Sequence, residues 1–152
     1  MQHEGMVHAL EEIHRLLRPG GCLIDIHPTP AATLFEVHHR GIITFSAPVP
    51  GETFQDIRYA DDALAQVIKG GLFTLQRSSE FDWRTYASSV AELRDYVAQE
   101  SAYEEGPSLE LAALQEGELA ARVQALLQDA GEEAEVARLY SARIARLRPL
   151  RQ

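Results

Sequence analysis

The chain has 152 residues, 45% of them hydrophobic, and a formal net charge of -9. That length suits one domain or part of one, with enough apolar side chains to bury a core, and the composition argues against intrinsic disorder. The acidic balance argues against non-specific nucleic-acid binding and against docking on an anionic membrane, because both require a basic face.

One cysteine, Cys22, leaves no internal disulfide to form. There is no long apolar span and no signal-peptide pattern at the start. The expectation is a soluble, cytoplasmic protein with neither a nucleic-acid nor a membrane partner.

Met1–Gly5 reads as a short polar lead. Met6, Leu10, Ile13 and Leu17 then recur at helical spacing, with Glu11, Glu12 and Arg15 on the other side. Pro19 cannot continue that helix, and Gly20-Gly21 permit the positive φ of a sharp reversal. Cys22-Leu23-Ile24-Asp25-Ile26 is short, apolar and β-rich, as in a strand covered on both faces, which makes Cys22 a buried thiol. His27-Pro28-Thr29-Pro30 ends it.

Leu34–His38 and Gly41–Ala47 read as two short strands around His39-Arg40-Gly41, a small hairpin. Pro48, Pro50 and Gly51 mark a loop. A helix follows within Tyr59–Gly71, with Asp61 or Asp62 at its start, Leu64, Val67 and Ile68 inward, and Gly70-Gly71 as the stop. Phe73, Leu75, Phe81 and Trp83 share one parity, which predicts a long strand with one face buried.

Ser89-Val90-Ala91-Glu92 is a capping box that opens a helix to about Glu100, with Val90, Leu93 and Val97 inward. Gly106-Pro107-Ser108 is a break. Leu109–Ala130 reads as a helix with Leu119, Val123, Leu126 and Leu127 inward. Glu135–Arg148 is ambiguous by pattern: Val136, Tyr140 and Ile144 fit a helix at four-residue spacing and also share one parity in a strand.

The run "ALEEIHRLLRPGGCLIDIHP", ending at Pro28, resembles the late part of the class I S-adenosylmethionine-dependent methyltransferase fold. There a helix ending in Leu-Arg-Pro-Gly-Gly leads into the fifth strand. The helix, Gly71-Leu72-Phe73 step and long strand that follow are similar to that family's sixth strand and the helix before it. The resemblance implies an α/β fold: a partial Rossmann-like methyltransferase sheet made of the last three strands, with flanking helices and the hairpin inserted. It implies that residues 1–152 form a single domain, the carboxyl-terminal half of such a fold. It also favours strand over helix for Glu135–Arg148, as a last antiparallel strand beside the fifth.

The family builds its cofactor site mainly after its first four strands, and only a few residues precede the first helix here. A Gly-x-Gly-x-x-Gly turn between a strand and a helix is absent from the chain. The expectation is no cofactor in this chain, with S-adenosylmethionine bound only if an amino-terminal half is supplied by a longer reading frame or a partner. The other reading is a non-enzymatic dimeric or scaffold module derived from a methyltransferase. In the resembled fold the fifth strand lies between two others. Without a fourth strand, Cys22–Ile26 would expose one edge, so a homodimer or a partner chain pairing there is expected, with the Leu34–Ala47 hairpin as the rival cover.

Three residues are substrate-pocket candidates. His27 lies at the carboxyl end of a strand, where open sheets bind ligands, and histidine titrates near neutrality. The plainer reading is a rim histidine bonded to backbone, whose replacement by alanine costs no more than about 1 kcal/mol. Asp25 lies inside the strand and must face a ligand cleft or reach an arginine such as Arg15, Arg138 or Arg143. His38 is adjacent to His39, so the two point to opposite faces and one ion cannot easily use both. His27 and Glu36 could complete a nitrogen-and-oxygen set, but a solvated hairpin tip is the simpler account, and no metal is assigned. Asp61 and Asp62 read as helix caps, and no residue qualifies as a methyl-transfer catalyst.

Overall fold

The computed structural model describes residues 3–52, 54–101 and 109–150. In chain order they form α1 (His3–Leu16), β1 (Leu23–Pro28), β2 (Leu34–His39), β3 (Ile42–Pro48), α2 (Gln55–Lys69), β4 (Phe73–Ala87), α3 (Val90–Ser101), α4 (Leu109–Ala130) and β5 (Ala134–Pro149). The architecture is α/β, with one open antiparallel sheet of five strands and four helices. β5 is its hub: it pairs with β1 through residues 142–147, with β2 through residues 134–139, and with β4. The ambiguous last segment is therefore a strand, and β5 lies antiparallel beside β1. Among the described residues no helix is long and apolar enough to cross a membrane.

The contacts group into two compact units. The first comprises residues 1–31, 54–82 and 141–152. Its helix α1 takes in part of the segment read as a lead, since it already includes His3, Glu4 and Gly5. The reversal after α1 is a tight turn: the Gly21 amide donates to the Arg18 carbonyl at 2.9 Å, with Gly20 at φ +81°. Proline first and a positive-φ glycine second is the type II requirement, which explains the Arg18-Pro19-Gly20-Gly21 order.

α1 packs on α2, and Met6, Leu10, Ile13 and Leu17 join Val7, Ala63, Val67, Phe73, Ala145 and Leu147 in one core. α2 begins at Gln55, a turn and a half before the expected start, so Asp61 and Asp62 lie inside the helix and do not cap it. In β1 the odd-numbered residues are half-buried and the even-numbered ones exposed. Leu23, Asp25 and His27 stand directly across from Leu147, Ala145 and Arg143 on the face that includes the core, while Ile24 and Ile26 are 49% and 60% exposed. The strand is thus covered on one face only. Cys22 precedes it and is half-buried rather than enclosed.

The second unit comprises residues 32–53 and 83–140. The β2–β3 hairpin turns at Arg40-Gly41, with φ of +52° and +76°. Two successive positive φ values are what a two-residue type I′ turn needs, and Gly41 meets that demand without strain. Phe35 and Val37 face a core with Val49 just after β3, Ala87 at the end of β4, and Val90, Leu93, Ala120, Val123, Leu127 and Val136 from α3, α4 and β5. At α3 the Glu92 amide donates to Ser89 Oγ at 3.1 Å, while the Glu92 carboxylate accepts from the amide and hydroxyl of Ser88. The capping box is present, with its return bond shifted by one residue. The break at Gly106-Pro107-Ser108 lies outside the described residues.

β4 departs from the reading of one buried face. Only its ends, Phe73 and Ala87, are buried; Leu75, Phe81 and Trp83 are 48%, 42% and 38% exposed. Alternation tells which side chains share a face. It does not tell whether another element covers that face.

Candidate functional site

Two acid-x-His pairs organise the polar side chains. In an extended strand, residues i and i+2 point to one face, so Asp25-Ile26-His27 and Glu36-Val37-His38 each set a carboxylate beside an imidazole.

In the first unit, His27 Nδ1 lies 2.6 Å from Asp25 Oδ2 and Nε2 lies 3.0 Å from Asp61 Oδ1. Arg143, directly across from His27 in the ladder, donates to the same Asp61 oxygen. Asp61 reaches the strand because α2 packs over β1. The His27 side chain is 11% exposed. Both ring nitrogens lie within hydrogen-bond reach of a carboxylate. Arg143 also comes within 3.5 Å of His27 Nε2, so the four side chains form one connected cluster. The cluster is a brace between helix and strand, and it leaves His27 no free nitrogen to serve as a base. The backbone-bonded rim histidine is corrected accordingly. So is Asp25, whose partner is His27 and none of the three arginines.

In the second unit, His38 Nε2 lies 2.7 Å from Glu36 Oε2, and Arg84 Nε donates to that oxygen at 2.8 Å. Glu36 and His38 are 2% and 6% exposed, so His38 is no solvated hairpin tip. A β-bulge falls between Val37 and His38, where the register moves from Val37 opposite Phe45 to His38 opposite Ile43. Thr44 is the extra residue, and its hydroxyl donates to the Val37 carbonyl at 3.1 Å. Bulges re-aim the side chains beside them. The Tyr86 ring meets the His38 ring edge-on at 5.2 Å.

Burial works to raise the Glu36 carboxyl. Hydrogen bonds from Arg84 and His38, with the Arg84 charge beside it, outweigh that and hold the group below its usual range. An open cavity of about 540 Å³ adjoins this cluster, lined by His38, Gly41, Ile43, Arg84, Tyr86 and Glu135.

The three candidate residues therefore divide: Asp25 and His27 come together, and His38 belongs to a separate cluster. Asp61 and Arg143 had been named for other roles, and Glu36 only as a metal ligand. Arg84, Tyr86 and Glu135 were missed; the repeated acid-x-His pattern marks Glu36 and His38, and nothing in the spacing points to the residues that join them. Among the described residues no group of three or more His, Cys, Asp or Glu side chains is placed to hold a metal ion.

No family model, curated protein or solved structure matches the chain.

Proposed function

We propose that this chain forms the last-strand part of a methyltransferase-like sheet, that it does not bind S-adenosylmethionine by itself, and that the sheet continues at the free edge of β1. The observation that carries the reading is the position of β5, paired antiparallel with β1 and also paired with β4. The resembled fold has that order, with its final strand inserted between the fifth and the sixth.

The residues present do not fit the cofactor. Gly20-Gly21 and Gly70-Gly71 each follow the carboxyl end of a helix, where carbonyls give a negative partial charge. An anion cradle needs amides at a helix amino terminus. No catalytic step is drawn through the cofactor.

A second reading, a dimeric or scaffold module, draws support from β1 itself. Among the described residues its ladder partner is β5, and the β2–β3 hairpin pairs with residues 134–139 of β5. An open edge flanked by exposed Ile24 and Ile26 invites another strand. Antiparallel pairing about a two-fold axis would set these isoleucines against their own copies. The two readings share that edge and differ in what adds to it.

Titration calorimetry of the purified chain with S-adenosylmethionine tests the first reading. The expected result is no saturable heat. A one-to-one isotherm with low-micromolar affinity would overturn it.

A further inference from the structure

We propose that the cavity beside the β2 bulge is a binding site for a small primary amine carrying a short apolar body, with His38 Nδ1 and the Glu135 carboxylate as its acceptors. This does not rest on the sheet-extension reading, because every residue involved lies within the second unit.

The argument starts from the orientation of one ring. Neutral imidazole has one donor and one acceptor nitrogen. Glu36 takes the donor: its carboxylate lies 2.7 Å from Nε2 and is itself fixed by Arg84. Nδ1 is left with the lone pair. It has no hydrogen-bond partner among the described residues, and it is not sealed from solvent. The His38 side chain is 8% exposed, and the ring lines the cavity. A buried ring held by a carboxylate on one nitrogen, with the other unpartnered among the described residues and not sealed from solvent, is a preset acceptor.

The groups around it select the ligand. Glu36 faces His38 from its own strand, Arg84 and Tyr86 from β4, and Glu135 from β5. His38 and Glu135 are directly opposite in the ladder. Side chains so placed start about 5 Å apart, within reach of one compact head group. The Arg84 charge is taken up by Glu36, so Glu135 sets the sign at the mouth. That sign favours a cation whose N–H groups donate to Nδ1 and to the carboxylate. Ile43 and Tyr86, 46% and 50% exposed, supply apolar surface for the remainder of the molecule.

The test is nitrogen-15 NMR of the imidazole rings, with 2-phenylethylamine as probe and phenylacetate as its oppositely charged counterpart. Without probe, neutral His38 should carry its proton on Nε2. The amine should shift the His38 Nδ1 resonance saturably at millimolar concentration, while phenylacetate leaves it in place. Glu135→Gln, an exposed change, should weaken the amine about two- to fivefold, the range of an exposed ion pair. A proton on Nδ1, no saturable shift with the amine, equal shifts with both probes, or an unchanged affinity in Glu135→Gln would each overturn the proposal.

Discussion

Glu36→Gln should lower the stability of the protein by about 3 kcal/mol at neutral pH, the scale for breaking a buried, hydrogen-bonded ion pair. For a chain of this length that is a fall in Tm of about 10 °C. The side chain is 3% exposed and bonds both His38 and Arg84. Glutamine keeps the shape but removes the charge, leaving a guanidinium with a neutral partner. The effect should also depend on pH. Arg84 and His38 hold the Glu36 carboxyl below its usual range in the folded protein, against the opposing influence of burial. A carboxyl with a lowered folded pKa adds stability above its unfolded value and loses it as pH falls through the folded value. The gap between wild type and Glu36→Gln should therefore be full at pH 7 and shrink once the pH drops below about 4.3. Thermal unfolding of both proteins across that range checks it. A gap that stays constant with pH would mean that the charge of Glu36 contributes nothing.

His27→Ala should cost about 2 kcal/mol, the scale for lost hydrogen bonds to charged groups and well above the loss expected for an exposed rim residue. The ring joins Asp25 on β1 to Asp61 on α2. Without it, Asp25 has no other partner among the described residues, and two partly buried carboxylates lose the imidazole between them. Denaturant unfolding measures the difference. A cost within about 0.5 kcal/mol would show that the cluster does not brace α2 against β1.

Much of the element order was legible because it rests on local chemistry. The Pro19-Gly20-Gly21 turn, the Arg40-Gly41 hairpin, the Ser89–Glu92 cap and the Leu109–Ala130 helix each depend on residues close in sequence. The sequence does not mark the start of α2: Asp61 is a strong capping residue type, whereas Phe54 at the observed N-cap makes no side-chain capping bond. The exposure of β4 and of Ile24 and Ile26 could not be read, since it depends on what packs above them. Val136, Tyr140 and Ile144 fit helix and strand equally, and the ladders along β5 decide for strand.

The candidate site was legible in part. Asp25 and His27 are neighbours on one face by strand period alone, as are Glu36 and His38. What completes each cluster comes from far along the chain: Asp61 and Arg143 for the first, Arg84 and Glu135 for the second. Spacing carries no trace of such pairings. They follow from a ladder register and from a helix crossing a strand.

Among the described residues β1 pairs along one edge only, and the dimeric reading stands or falls on the other. Light scattering coupled to size exclusion, run over a range of concentrations, measures the mass of the chain in solution. Completion of that edge by a second copy gives a mass that rises above the 16.9 kDa of a single chain towards that of a two-fold dimer. A mass that stays at 16.9 kDa at every concentration would contradict it.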